Sequence, residues 1–87
     1  MGEQLLAIVA EFGNLKNKSV TDSIVVRQIK RLQNYITENY YKCSDTILSQ
    51  LGTMYASGGE FTKNINAVGG SGAAEFANEA IQAYCKK

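Results

Sequence analysis

Apolar residues recur along this chain at spacings of three and four, with no alternating stretch, so the chain reads as a series of helices. Leu5, Ile8, Val9 and Phe12 follow i, i+3, i+4, i+7 and predict a first helix that stops at Gly13-Asn14. Leu15 to Lys18 reads as a short polar linker. Ser19-Val20-Thr21-Asp22 has the form of a capping box, and the stripe Val25, Ile29, Leu32, Ile36 predicts a long helix after it. Asn39-Tyr40-Tyr41-Lys42-Cys43 ends or bends that helix. Ser44-Asp45 then caps a third, with the aspartate at the positive end of its dipole. This third helix carries Ile47, Leu48, Leu51, Met54 and Tyr55 and closes near Ser57-Gly58-Gly59. A short fourth runs from Glu60 to about Ala67 and is broken by Val68-Gly69-Gly70. Ser71 is expected to cap a last helix striped by Ala73, Phe76, Ala77, Ala80, Ile81 and Tyr84, whose closing Lys86-Lys87 suits the negative dipole end. The pattern predicts an all-α orthogonal or globin-like bundle of five helices, the first of them least securely attached.

The stretch from Leu51 to Asn66 organises the rest. Leu51, Met54 and Tyr55 share one helical face, and Phe61 and Ile65 repeat the spacing after the double-glycine turn. A glycine inside a helix costs roughly 1 kcal/mol relative to alanine. Gly52 therefore implies close approach by another backbone or a bulky group. Two apolar faces meet at this corner, where they complete a core or line a pocket.

Composition narrows the function. Eighty-seven residues make one domain, 1–87, with too little chain for two cores. Nine Lys/Arg against eight Asp/Glu leave a net charge of +1, which argues against a basic nucleic-acid-binding face. No apolar run approaches the eighteen or so residues needed to cross a bilayer. Met1-Gly2-Glu3-Gln4 lacks the basic region of a signal peptide, and Leu6 stands where a myristoylation signal wants Ser or Thr, so a cytoplasmic chain is expected. The chain has no histidine, hence neither the usual general base nor the commonest metal ligand. The expectation is a protein that is not an enzyme and needs no cofactor or metal.

Three further features have mundane readings. Gly69-Gly70-Ser71-Gly72 lacks the strand and the Lys-Ser/Thr of a phosphate loop, and reads as a loop with a helix cap. Arg27, Lys30 and Arg31 form a positive edge that reads as a solvated helix face. Cys43 precedes a helix N-terminus, which could lower its pKa, but a packed thiol is the preferred reading, and Cys85 reads as inert. The set Tyr35, Tyr40, Tyr41, Tyr55, Phe61, Phe76 and Tyr84, with Met54 beside it, leaves core and ligand groove equally open.

Tyr41-x-Cys43, Leu51-Gly52-x-Met54-Tyr55 and Phe61-Thr62-x-Asn64-Ile65-Asn66 resemble the C-terminal segment of the TipA-type (TipAS) antibiotic-recognition domain. The resemblance runs from about Arg27 to Tyr84; residues 1–18, the first helix and linker, match it least, and 19–87 form the core of the domain. It implies a single small globin-like all-α bundle that senses ligands for a MerR-family transcriptional activator. Such a domain binds a small hydrophobic ligand, such as a thiopeptide or multi-ring drug, and contacts DNA only through a separate N-terminal domain. Thiopeptide-capturing members carry a second cysteine where this chain has Gln50, and an aspartate where it has Lys42, so noncovalent binding is the inference. The lining residues expected on this reading are Tyr40, Tyr41, Cys43, Ile47, Gln50, Met54, Tyr55, Phe61 and Phe76, with the Gln50 amide orienting the ligand. The alternative is a helical protein-interaction or dimerisation module that presents a tyrosine-rich face.

Overall fold

The computed structural model describes residues 3–86. Met1, Gly2 and Lys87, on which part of the N-terminal reading and one closing lysine fall, lie outside the described residues. Five α-helices follow in order: α1 Glu3–Ala10, α2 Ser23–Asn39, α3 Asp45–Tyr55, α4 Glu60–Gly69 and α5 Ala73–Cys85. A 3-10 turn, Glu11–Leu15, continues α1. There is no strand among the described residues, and the molecule is the expected all-α bundle.

The α5 helix is the central post and touches every other helix and the 3-10 turn. Its Ala73, Ala74, Ala77, Ala80 and Ile81 are fully buried, and short side chains let neighbouring backbones come close. Gly52 shows the same economy. A methyl group there would stand 3.0 Å from Asn78 Oδ1 and 3.1 Å from Ile81 Cγ2, so the glycine admits α5 as its sequence position implied. Polar bonds fix the same contact: Ser49 Oγ donates to Gln82 Oε1 at 2.8 Å, and Gln82 Nε2 donates to the Ser49 carbonyl at 2.8 Å.

The first helix is not loosely attached. Ile8, Val9, Ala10 and Phe12 are all buried, and α1 packs on α4, α2 and α5. The apolar pattern persists through Phe12, so the chain tightens into a 3-10 turn through Leu15 rather than stopping at Gly13. Gln28 Nε2 ties α2 to this segment by donating to the Ile8 carbonyl and to Glu11 Oε2, and Arg31 pairs with the same carboxylate at 2.8 Å. Gly13 lies against the Gly69 backbone and Gly69 against the Ala10 carbonyl, which leaves no room for a Cβ at either position.

Three terminus expectations need correction. Asp22 alone caps α2, accepting from the Ile24 N–H at 2.9 Å, because Ser19 is engaged in its own turn with Thr21 and Asp22. The cap of α5 is borrowed: the side chain of Asn66, from α4, accepts the Ala74 N–H at 2.9 Å, and Gly72 rather than Ser71 holds the cap position, at φ +88°. That arrangement lets α4 run on to Gly69 instead of ending at Ala67. Ser44 caps α3 as expected, accepting from the Ile47 N–H.

The Gly13–Gly69 contact can be tested directly. Gly13→Ala or Gly69→Ala should each cost about 3 kcal/mol, the upper end of overpacking costs, because backbone and not a flexible side chain would have to yield. Chemical denaturation monitored by circular dichroism reads the loss.

Candidate functional site

Where the end of α2 meets the α3–α4 corner, the bundle leaves a cleft of about 320 Å³. Ile36 forms one wall, with Tyr40 and Tyr41 from the turn after α2. Leu51, Met54 and Tyr55 supply the α3 face, Phe61 the start of α4, and Leu5 the start of α1. The volume is at the lower end of the roughly 300–1,000 Å³ seen for ligand sites. Among the described residues no charged side chain lines it, and the side-chain polar groups are the three phenol hydroxyls. Tyr40 and Tyr41 are 56% and 51% exposed and stand at the rim, whereas Tyr55 is 1% exposed and recessed.

Local structure explains each placement. The N–H groups of Tyr40 and Tyr41 both donate to the Ile36 carbonyl, which closes α2 and throws the two rings outward together. The Tyr40 ring then leans edge-on against Tyr35, 6.2 Å between centroids. On the other side, Thr62 Oγ1 donates to the Tyr55 carbonyl at 2.6 Å and accepts from the Gly58 N–H at 2.9 Å. This clamp holds the double-glycine turn and brings Phe61 beside Tyr55.

Five of the nine residues expected from sequence meet here: Tyr40, Tyr41, Met54, Tyr55 and Phe61. The other four do not. Phe76 faces into the core against Phe12, with 6.5 Å between ring centroids. Cys43 is buried, its N–H donating to Thr37 Oγ1 and its carbonyl accepting from Gln33 Nε2. Ile47 packs half-buried on the core, and Gln50 is exposed on α3. Both lie one helical turn, about 6 Å, before the α3 residues that border the cleft. Conversely, Leu5, Ile36 and Leu51 line the cleft, although Leu5 and Ile36 were expected only in helix stripes and Leu51, placed at the apolar corner, was not among the expected lining residues. The signal for Ile36 was its place four residues before Tyr40, and for Leu51 its shared face with Met54 and Tyr55.

Two other depressions are of different character. A wider groove of about 690 Å³ between α1 and α2 is bordered by Gln4, Arg27, Lys30, Arg31, Asn34 and Glu38, with only Ala7, Ile8 and Tyr35 as apolar or aromatic surface. A third, of about 390 Å³, continues it past Thr21, Ser23 and Val26. Mixed charge and open polar walls suit a solvated helix face better than a ligand site. No group of acidic, cysteine or histidine side chains among the described residues could hold a metal.

Burial also sets the chemistry of the recessed groups. The Tyr55 phenol is pushed well above its ordinary value of 10.0, first by burial and then by Tyr41, Cys43 and Tyr40. The Cys43 thiol likewise rises, by burial and then by Cys85 and Asp45, so the adjoining helix N-terminus does not make it a thiolate. In the unfolded chain Tyr55 loses its proton near 10.0, and in the folded chain only at higher pH. The folded state therefore holds more protons in that window, and stability falls as pH rises through it, by up to about 1.4 kcal/mol per pH unit for this group. Urea midpoints measured between about pH 8 and 11 should show this decline, and Tyr55→Phe should remove the Tyr55 share of it.

No curated protein and no solved structure matches the chain. The family model of the TipAS antibiotic-recognition domain matches residues 1–84. That match takes in α1, where the short motifs gave least support, and agrees with the buried position of Ile8, Val9 and Phe12. The chain therefore belongs to the TipAS antibiotic-recognition domain family.

Proposed function

We propose that this domain binds hydrophobic, antibiotic-like molecules noncovalently in the cleft between Ile36, Tyr41, Leu51, Met54, Tyr55 and Phe61, and that it acts by binding rather than turnover. The observation that carries the reading is the cleft itself, uncharged and walled by aromatic and aliphatic side chains, in a chain of this family. A thiopeptide exceeds about 320 Å³, so a ligand of that kind would seat one ring system in the cleft and lie across the exposed Tyr40 and Tyr41. On this reading the domain is the sensor of a MerR-type regulator that contacts DNA elsewhere. No described helix is long and apolar enough to cross a membrane.

A drug that buries about 500 Å² of apolar surface gains about 12 kcal/mol gross. Association and ordering costs of several kcal/mol then leave micromolar to nanomolar affinity. Against the interaction-module reading stands the arrangement of the rings. Tyr55, Phe61 and Leu51 are recessed around a hollow, whereas a docking face would set them in one exposed patch.

A thermal-shift screen with thiopeptides and multi-ring antibiotics tests the proposal. A ligand present at 100 times its Kd adds about 2.7 kcal/mol, which in a domain of this size raises Tm by about 10–20 °C. A flat response across the panel would sink the reading. Met54→Ala should weaken a hit by about 1–2 kcal/mol through lost apolar contact. Gln50→Ala should change affinity by less than about 0.5 kcal/mol, because Gln50 lies in solvent outside the cleft.

A further inference from the structure

One polar atom of the cleft has no use in the fold. Tyr55 is 1% exposed and borders the cleft, yet its hydroxyl makes no hydrogen bond among the described residues. Every enclosed side-chain nitrogen and oxygen among the described residues does have a partner. The hydroxyl is therefore not enclosed, and the depression that Tyr55 borders is the cleft. The phenols of Tyr40 and Tyr41 differ, since both residues stand in solvent where water satisfies them.

We propose that the Tyr55 hydroxyl is the specificity-determining donor of the cleft. The ligand class it selects is an uncharged, flat polycyclic compound whose leading edge carries a carbonyl or ring-nitrogen acceptor. The inference rests on the reading of the cleft as a ligand site and adds to it the chemistry of recognition. Flatness suits the walls: Tyr41 and Phe61 supply aromatic rings, Leu51 and Met54 supply aliphatic surface, and the hollow holds about 320 Å³. Neutrality follows from the absence of any charged lining group, because an ion placed there would be desolvated without a counter-charge. The need for an acceptor follows from protonation. Burial and the neighbouring phenols oppose ionisation of Tyr55, so it presents O–H and not O⁻. A ligand without an acceptor would seal that O–H away from water unpaired, and sites of this kind discriminate sharply against such a ligand.

The test uses 9-fluorenone and fluorene, which share ring shape and differ in the carbonyl, with the full chain and its Tyr55→Phe variant. In equilibrium dialysis the parent should bind fluorenone about tenfold more tightly than fluorene, although fluorene is the more hydrophobic. In Tyr55→Phe the ratio should fall to about one, through loss of fluorenone affinity, while fluorene binds at least as well as before. The carbonyl stretch of bound fluorenone should also lie at lower frequency in the parent than in an apolar solvent, a readout that needs no variant. Equal binding of the two compounds by the parent, a preference that survives in Tyr55→Phe, or an unshifted stretch would each overturn the assignment of Tyr55 alone. If neither compound binds the parent, this inference falls, while the proposed function stands or falls by the thermal-shift panel.

Discussion

The approach of α3 to α5 across Gly52 fixes the orientation of the surfaces that matter. Glycine at that position and buried alanines along α5 bring two backbones close, and Ile81 and Asn78 fill the remaining space. Once Gly52 faces α5, helical geometry dictates the rest of α3. Tyr55, Leu51 and Met54 stand roughly 60°, 100° and 160° around the axis on one side. Tyr55 falls nearest the core and is buried, Leu51 is half-buried, and Met54 reaches the surface. One packing contact thus grades three neighbouring side chains from core to rim, and the cleft lies along that gradient.

A second constraint closes the corner. After α3 the chain must turn within four residues and present Phe61 to Tyr55, and Gly58, at φ +91°, makes that turn possible. Thr62 then locks it with two hydrogen bonds, one to each side of the turn. Thr62 is the sole buried polar residue among the described residues, and its hydroxyl is used as both donor and acceptor. The contrast with Tyr55 is instructive. Both are recessed and both carry a hydroxyl, but the fold consumes one and leaves the other without a partner among the described residues.

Local patterns in the sequence carried most of the helices and the corner, because stripes such as Val25, Ile29, Leu32, Ile36 and the spacing of Leu51, Met54 and Tyr55 are short-range signals. What local patterns could not carry was partnership between distant segments. That Asn66 would cap α5, leaving Ser71 without that role, depends on how α4 and α5 cross. That α1 would be firmly held depends on Gly13 meeting Gly69 and on Gln28 reaching Ile8 and Glu11. The candidate site divides along the same line. Tyr40, Tyr41, Met54, Tyr55 and Phe61 flank the two turns that sequence marks clearly, and they converge. Ile47 and Gln50 share α3 with cleft residues but lie a turn away, Cys43 sits in the connection before α3 and packs into the core, and Phe76 turns inward from α5; only the assembled bundle decides that.

The positions of Cys43 and Gln50 bear on how a ligand would be retained. Covalent capture requires a thiolate at the cleft. Cys43 is packed in the core with its thiol kept protonated by burial, and the side chain at position 50 is an amide in solvent. Retention on the proposed reading must therefore come from shape, apolar area and the single unpaired donor. A domain of this length buries only about 60–65% of its unfolded surface, so a hollow in contact with its core forgoes packing that it can ill spare. A ligand that fills the hollow restores those contacts for Ile36, Tyr55 and Phe61 together, and these residues come from three different helices. On the proposed reading, binding at this site would be coupled to the cohesion of α2, α3 and α4, which would give a small domain a means of reporting occupancy without any covalent mark.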